Sequence, residues 1–281
     1  MILIADCGST KTDWVLCDGD NVLARARTQG LNPTHQDSDE IFEILSSELT
    51  DEITSQTPEK IYFYGAGCVG GSVNNRMRQC LEAQFGTAHI CVESDLLGAA
   101  RSLCGHREGI AGILGTGANS CQYDGQNIVA NIPPLGYILG DEGSGASLGK
   151  AFLQALLRNE LGEKLRDEFY EQYHTDYRSL IERIYRQPVA NRFLASLSPF
   201  IASHLDCEPL HNIVANTFMQ YMERHIMRYD YNNLTLHLTG SVAHYYRDTI
   251  IAVAQQKNIA IGNITCSPIE GLVSYHNSNK I

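Results

Sequence analysis

The chain has 281 residues, enough for one large or two medium domains, and 43% hydrophobic with 19% charged residues is the balance of a globular protein with an ample core. Its 21 basic and 32 acidic residues give a formal net charge of −11 with no Lys/Arg-dense run, which argues against a nucleic-acid or anionic-membrane surface. No apolar run approaches the ~18–20 residues of a membrane span, and the first residues enter a strand without a signal-peptide pattern. Nine scattered cysteines with no C-x-x-C pair disfavour a disulfide framework or zinc site and point to a reducing, cytoplasmic setting. Cys17, Cys91 and Cys121 sit in strand contexts where a cysteine is a small hydrophobe.

In chain order, the apolar run 2–5 ends at Asp6, the small polar turn Gly8-Ser9-Thr10-Lys11-Thr12 follows, and a second apolar run, Trp14-Val15-Leu16, stops at Asp18-Gly19. This spacing predicts a β-hairpin with Asp6 at the end of the entering strand. Two readings fit its tip. One is an ordinary polar turn. The other is an anion loop, with Gly8 admitting close approach, hydroxyls and N–H groups wrapping phosphate oxygens, Lys11 adding charge and Asp6 holding a hydrated Mg²⁺. A third strand over 21–26 precedes a loop at 29–34, where Gly30 and Asn32-Pro33 break both periodicities. Ile41, Ile44, Leu45 and Leu49 recur at helical spacing behind the cap-like Asp37-Ser38-Asp39, and Pro58 closes that helix. Next come a strand at 60–64 ending in Gly65-Ala66-Gly67, a helix over 73–85, a strand at 89–92 and a helix opening at Ser94-Asp95.

The second half repeats this order. The apolar strand 110–114 runs into Gly115-Thr116-Gly117-Ala118-Asn119-Ser120, a strand at 121–123 reaches Asp124-Gly125, and another follows at 127–130. Residues 18–24, from Asp18-Gly19-Asp20 onward, align with residues 124–130, an internal duplication weak in letters and better in architecture. A helical stretch begins at 143–161 and continues in amphipathic segments to about residue 229. Its apolar stripes (Leu156, Leu157; Ile181, Ile184; Phe218, Tyr221, Met222) read as helix-bundle packing. A strand at 234–238, the turn Thr239-Gly240-Ser241, a helix over 242–256, a strand near 259–261 and a helix after Pro268 complete the chain. The expected class is α/β: two similar domains, residues 1–106 and 107–281, facing one cleft, with a helical insertion at about 150–230 in the second.

Small-residue turns thus stand at four strand ends, where ligands of α/β folds gather. The first and third occupy equivalent places in a duplicated hairpin and suit a phosphate clamp, and the last would suit an adenosine pocket. Asp95 has two readings, a helix cap and a general base. Asp141 and Glu142 likewise read either as a helix's acidic first turn or as site residues. The histidines are dispersed, with His174, His204, His225 and His244 expected on surfaces or helices and no metal-binding spacing among them.

The motifs Asp6 to Thr12, Ser94-Asp95-Leu96-Leu97-Gly98-Ala99, Gly115 to Ser120, Gly140-Asp141-Glu142-Gly143-Ser144 and Leu238 to Ala243 resemble, in order and over nearly the whole chain, those of the sugar kinase/heat-shock 70/actin superfamily. More narrowly, they resemble the N-acetylglucosamine-kinase-like branch of the benzoyl-CoA-reductase-type ATPase family. The resemblance implies two ribonuclease-H-like (actin-like ATPase) domains, ATP with Mg²⁺, and phosphoryl transfer to a hydroxyl of N-acetylglucosamine or a related hexosamine. It implies Asp95 as catalytic base, Gly8, Ser9, Thr10, Lys11, Thr12, Gly115, Thr116 and Gly117 at the ATP phosphates, and Thr239, Gly240 and Ser241 at the adenosine. Asp6 would hold the metal through water, and Asn32, Gly67, Asn119 and Asp141 would meet the sugar. Homodimers are common in that family. Leu135 replaces the tryptophan that animal members carry just before the glycine aligned with Gly136, which removes a sugar-stacking ring. Two other readings of the fold are an ATPase activator of a 2-hydroxyacyl-CoA dehydratase, whose cluster-binding cysteine is not matched here, and a non-enzymatic nucleotide switch.

Overall fold

The computed structural model describes residues 1–19, 21–87 and 89–278, so Asp20 of the aligned hairpins lies outside the described residues. The chain opens with β1 (Ile2–Cys7), β2 (Lys11–Asp18) and β3 (Asn21–Gln29), followed by α1 (Ser38–Glu48) and α2 (Asp51–Thr54). Helix α1 starts at a capping box, with the Asp37 carboxylate accepting from the Glu40 N–H and the Glu40 carboxylate from the Asp37 N–H. Strand β4 (Lys60–Gly65), α3 (Gly71–Phe85), β5 (Ile90–Ser94) and α4 (Asp95–Cys104) follow.

The second series runs β6 (Gly109–Leu114), β7 (Ala118–Tyr123), β8 (Ile128–Asn131), a one-turn α5 (Gly136–Leu139) and α6 (Gly145–Leu157). Five helices come next: α7 (Glu163–Gln172), α8 (Tyr177–Tyr185), α9 (Ala190–Ser196), α10 (Ser198–Ser203) and α11 (Glu208–Arg224). The chain ends with β9 (Leu236–Thr239), α12 (Ser241–Tyr245), α13 (Arg247–Gln256), β10 (Ile261–Thr265) and α14 (Ile269–Ser278).

Two compact units result. Unit 1 holds residues 1–108, 123–128 and 267–281, and unit 2 holds 109–122 and 129–266. In unit 1 the sheet order is β3-β2-β1-β4-β5, with β1 antiparallel to β2 and parallel to β4. Strand β1 alternates its buried side chains between faces, as a strand's period of two requires. Leu3, Ala5 and Cys7 join a core with Ile41, Phe63, Met77 and Leu81, while Ile2 and Ile4 meet Ile269, Leu272 and Val273 of α14. In unit 2 the order is β10-β9-β6-β7-β8, the same sequence of roles read from the other edge. The duplication seen faintly in the letters is therefore complete at the level of sheet topology.

Helices α7 to α11 surround an aromatic cluster, with Phe152, Phe169 and Phe200 meeting edge-on or tilted at 5.2–5.6 Å between centroids. Leu156, Phe218, Tyr221 and Met222 are fully buried, as their stripes suggest, with Leu157 and Ile184 partly buried against the same core, and on α8 the fully buried residue is Leu180. Three local expectations change. Cys91 is exposed, because it points off the open face of edge strand β5. The helix expected over 242–256 is two helices broken at Tyr246, whose buried ring donates its hydroxyl to the Ser198 carbonyl. The helix expected from 143 begins at Gly145, where the Ser144 hydroxyl accepts from the Ser147 N–H as an N-cap.

Candidate active site

In unit 1 the parallel register aligns Cys7 with Gly65 and Gly65 with Ser94, so β1, β4 and β5 finish at one level. Asp6, the Gly65–Gly67 turn and Asp95 are thereby delivered to a single sheet end. Ser94 caps α4 by accepting from the Leu97 N–H at 3.2 Å, which leaves Asp95 as the first helical residue rather than the cap. Its Oδ1 accepts from the Leu96 N–H at 2.8 Å. Burial pushes the Asp95 carboxyl up to about 6, against the opposing pull of the Leu96 N–H. Asp6 is pushed up to about 7, first by burial and then by the charges of Asp95 and Asp13, with Lys11 opposing. Two carboxylates that repel one another in a partly dry site are suited to share a cation or a proton.

The hairpin tip divides its work. Gly8 closes the turn by donating to the Lys11 carbonyl at 3.0 Å, and a side chain there would meet nothing closer than 3.7 Å. Ser9 and Thr10 form the tip. Lys11 pairs with Asp13 at 2.6 Å, and Arg27 pairs with the other oxygen of Asp13 at 2.7 Å. Burial would raise Asp13, but those two partners hold it below the ordinary range. Thr12 is fully buried, its hydroxyl donating to Cys7 Sγ and the Gln29 carbonyl at 3.1 Å each, so it fastens the hairpin from inside. Asn32 and Gly67 are neighbours. The Asn32 Oδ1 accepts from the Thr34 N–H, Thr34 donates to the Gly67 carbonyl at 3.0 Å, and a Cβ on Gly67 (φ 81°) would collide with the Asn32 amide.

In unit 2, β6, β9 and β10 also finish together, with Ile113 opposite Thr239 and Thr239 opposite Thr265. The Gly115 and Thr116 carbonyls accept from the Gly145 and Ala146 N–H groups of α6 at 2.8 and 3.1 Å, which binds the turn to that helix. Asp141 stands over Gly117, its Oδ2 3.1 Å from where a Gly117 Cβ would lie. Its backbone is left-handed (φ 56°) and it precedes the α6 cap, so it is not part of the helix's acidic first turn. Burial raises its pKa. Asn119 Oδ1 accepts from the Asn131 amide at 3.0 Å. Thr239 is buried and accepts from the Thr265 hydroxyl at 2.9 Å, and Gly240 turns at φ 113° against the Leu114 carbonyl before Ser241 opens α12. Leu135, also left-handed at φ 61°, is 63% exposed and offers an apolar side chain at the head of α5.

Sequence reasoning missed the partners of Glu142. Its Oε1 accepts from Arg224 at 2.5 Å and its Oε2 bonds His225 Nε2 at 3.0 Å, across 82 and 83 residues. Burial opposes ionisation, but His225 and Arg224 together hold Glu142 below the ordinary range. His225 is buried rather than on the surface, because it ends α11 directly over the 140–144 segment. Also missed was a buried unit 1 network in which Arg101 donates to the Tyr64 hydroxyl at 3.0 Å and Tyr64 bonds His276 of α14 at 2.8 Å. Burial and Arg101 push His276 down to about 4. No short-range pattern announces either cluster.

The duplicated sheets and paired strand-end turns define a two-domain protein of the actin-like ATPase fold. No family model matches the chain, and no curated protein does. Among solved structures, the chain is similar to a candidate N-acetylglucosamine kinase from Porphyromonas gingivalis, at 45% identity over 100% of both chains and a TM-score of 0.97. A second candidate N-acetylglucosamine kinase, from Chromobacterium violaceum, shares 18% identity over 98% of both chains at a TM-score of 0.75. A ROK-family glucokinase from Streptomyces griseus, solved with glucose and AMPPNP, shares 14% identity over 98% of this chain and 97% of its own at a TM-score of 0.59. The last two resemblances concern the fold alone. The chain belongs to the family of the Porphyromonas gingivalis protein, N-acetylglucosamine-kinase-like proteins built on the actin-like ATPase fold.

Proposed function

We propose that the protein is an ATP-dependent kinase that transfers the γ-phosphoryl group to a hydroxyl of N-acetylglucosamine or a related hexosamine. The observation that carries this reading is the placement of Asp95, held at the first position of α4 by the Leu96 N–H on the same sheet end that receives Asp6, and burial there raises its pKa. In this reading Asp95 orients the acceptor hydroxyl and takes its proton as the bond to phosphorus forms. Asn32, Gly67, Asn119 and Asp141 are the proposed sugar contacts. Gly8, Ser9, Thr10, Lys11 and Thr12 with Gly115, Thr116 and Gly117 are proposed at the phosphates, and Thr239, Gly240 and Ser241 at the adenosine. Thr12 already spends its hydroxyl proton on protein partners, so its contribution would come from the backbone, whereas the Thr239 hydroxyl accepts from Thr265 and keeps its own proton to donate.

Among the described residues no three His, Cys, Asp or Glu side chains converge on a metal position. Asp6 is the proposed Mg²⁺ ligand, through water and together with phosphate oxygens, since Mg²⁺ keeps much of its hydration shell. The ion would neutralise charge on the transferring phosphate. The finer family placement, with the benzoyl-CoA-reductase-type ATPases, rests on the motif order alone. Nine scattered cysteines with no C-x-x-C pair support a reducing cytoplasmic setting, and no described helix is long and apolar enough to cross a membrane. A homodimer is proposed on the family resemblance alone.

Coupled ADP release measured over hexoses, hexosamines and N-acetylhexosamines tests the reading. Acceptor-stimulated release is expected for an N-acetylhexosamine and is expected to fall ~10²-fold or more in Asp95→Asn with ATP binding retained. Acceptor-independent release in both proteins would overturn it.

A further inference from the structure

Unit 2 contains a groove of about 400 Å³ between α6 and α11, floored at one end by Ile138, Leu139 and Gly140. This is the size of a small-molecule site. Its charge runs against that of the chain, which is −11 overall. Three cations, Lys150, Arg158 and Arg224, line it with two carboxylates, Glu142 and Glu160. Glu142 is shared between Arg224 and the buried His225. Lys150 gives its ammonium to the Tyr137 carbonyl at 3.0 Å and has no carboxylate within 4.0 Å among the described residues, and neither does Arg158. Gln154, Asn216 and Gln220 add side-chain amides to the same walls, and no hydrogen bond engages those amides among the described residues.

We propose that this groove binds a monophosphorylated sugar, with Arg158 on the phosphate and Lys150 and the three amides on the hydroxyls. A guanidinium without a carboxylate partner supplies the charge-assisted donors a phosphate takes. Amides that both donate and accept suit a polyol, and the volume exceeds what a bare anion fills. The groove lies within unit 2, its lining includes none of Asp6, Asp95 and Asp141, and the proposal stands whether or not the chain is a kinase.

The test is isothermal titration calorimetry of the full chain with glucose 6-phosphate, N-acetylglucosamine 6-phosphate, inorganic phosphate and unphosphorylated N-acetylglucosamine, each repeated in Asp95→Asn. Saturable binding of at least one sugar phosphate is expected, unaffected by Asp95→Asn and weakened at least ~10-fold by Arg158→Gln, because one charge-assisted donor is lost. Asn216→Ala should weaken the sugar phosphate but leave inorganic phosphate unchanged. Equal affinity of wild type and Arg158→Gln for the sugar phosphates would overturn the proposal. So would inorganic phosphate binding as tightly as the sugar phosphates, which would mean that the groove reads an anion alone. Absence of any binding would overturn it outright.

Discussion

Asp6 and Asp95 set the acid–base behaviour of the candidate site, and the direction of their shifts fixes two expectations. A base must be ionised to accept a proton, so with Asp95 raised to about 6 in the ligand-free protein kcat/KM should fall on the acid side with a midpoint near that value and a limiting slope of one. A pH–rate profile that stays flat from pH 8 to 5 would remove Asp95 from the chemistry. Stability runs the other way. A carboxyl whose folded pKa lies above its unfolded value contributes stability that is complete below about 4 and is lost as pH rises through about 6 to 7. Asp6→Asn should therefore stabilise the ligand-free protein at pH 8 by about 1–2 kcal/mol, allowing for the solvent that both groups still meet, with the gain vanishing near pH 4. Urea unfolding at the two pH values checks the sign. The contrast is Glu142, whose partners lower its pKa. Glu142→Gln leaves buried His225 and Arg224 without their anion and should cost about 2 kcal/mol at pH 7. A loss under ~0.5 kcal/mol would show that the pair adds little.

Strand and helix identity was largely written in local periodicity, because β1, β4 and β6 are short apolar runs closed by glycine turns and α1 and α3 carry clean apolar faces. What stayed hidden depends on long-range packing. The break at Tyr246 arises because a tyrosine hydroxyl finds Ser198, 48 residues away. The offset start of α6 arises because Asp141 turns left-handed to stand over Gly117. The site followed the same rule. Asp6 and Asp95 were visible as acids at strand ends, but the internal use of Thr12 and Thr239 was not, since a hydroxyl's direction is set by its neighbours. Helix α4 shows how an element can matter to the site through packing alone. Gly98 lies flush on β4, where an added Cβ would sit 2.8 Å from the Tyr64 Cβ, and Tyr64 is held by Arg101 and His276. Gly98→Ala should push the helix off the sheet, costing about 1–3 kcal/mol as overpacking does. A ternary-complex enzyme in which Asp95 is the base should also lose turnover more than ATP affinity. Unchanged melting and turnover would mean the helix shifts freely.

At the scale of the whole chain, unit 1 is made from both ends of the sequence. Residues 1–108 supply its sheet, yet one face of that sheet is covered by α14, which is separated from α4 by the whole of unit 2. Ile269, Leu272 and Val273 pack on Ile2, Ile4, Val15 and Tyr64, and Ser102 donates to the Pro268 carbonyl at 2.7 Å to fix the start of the helix. Burial of three such aliphatic side chains contributes roughly 5–8 kcal/mol, comparable with the total stability of a typical domain. Unit 1 should thus depend on the returning helix to fold. A fragment of residues 1–108 is expected to expose that sheet face, bind a hydrophobic dye and melt without cooperativity. The same fragment joined through a flexible linker to residues 267–281 should recover a cooperative transition. Leu272→Ala in the full chain is the graded version, expected to cost about 2–4 kcal/mol because Leu272 is fully buried. If the 1–108 fragment folds cooperatively alone, α14 is an accessory cover, and the sheet is held by the opposite core around Phe63, Met77 and Leu81.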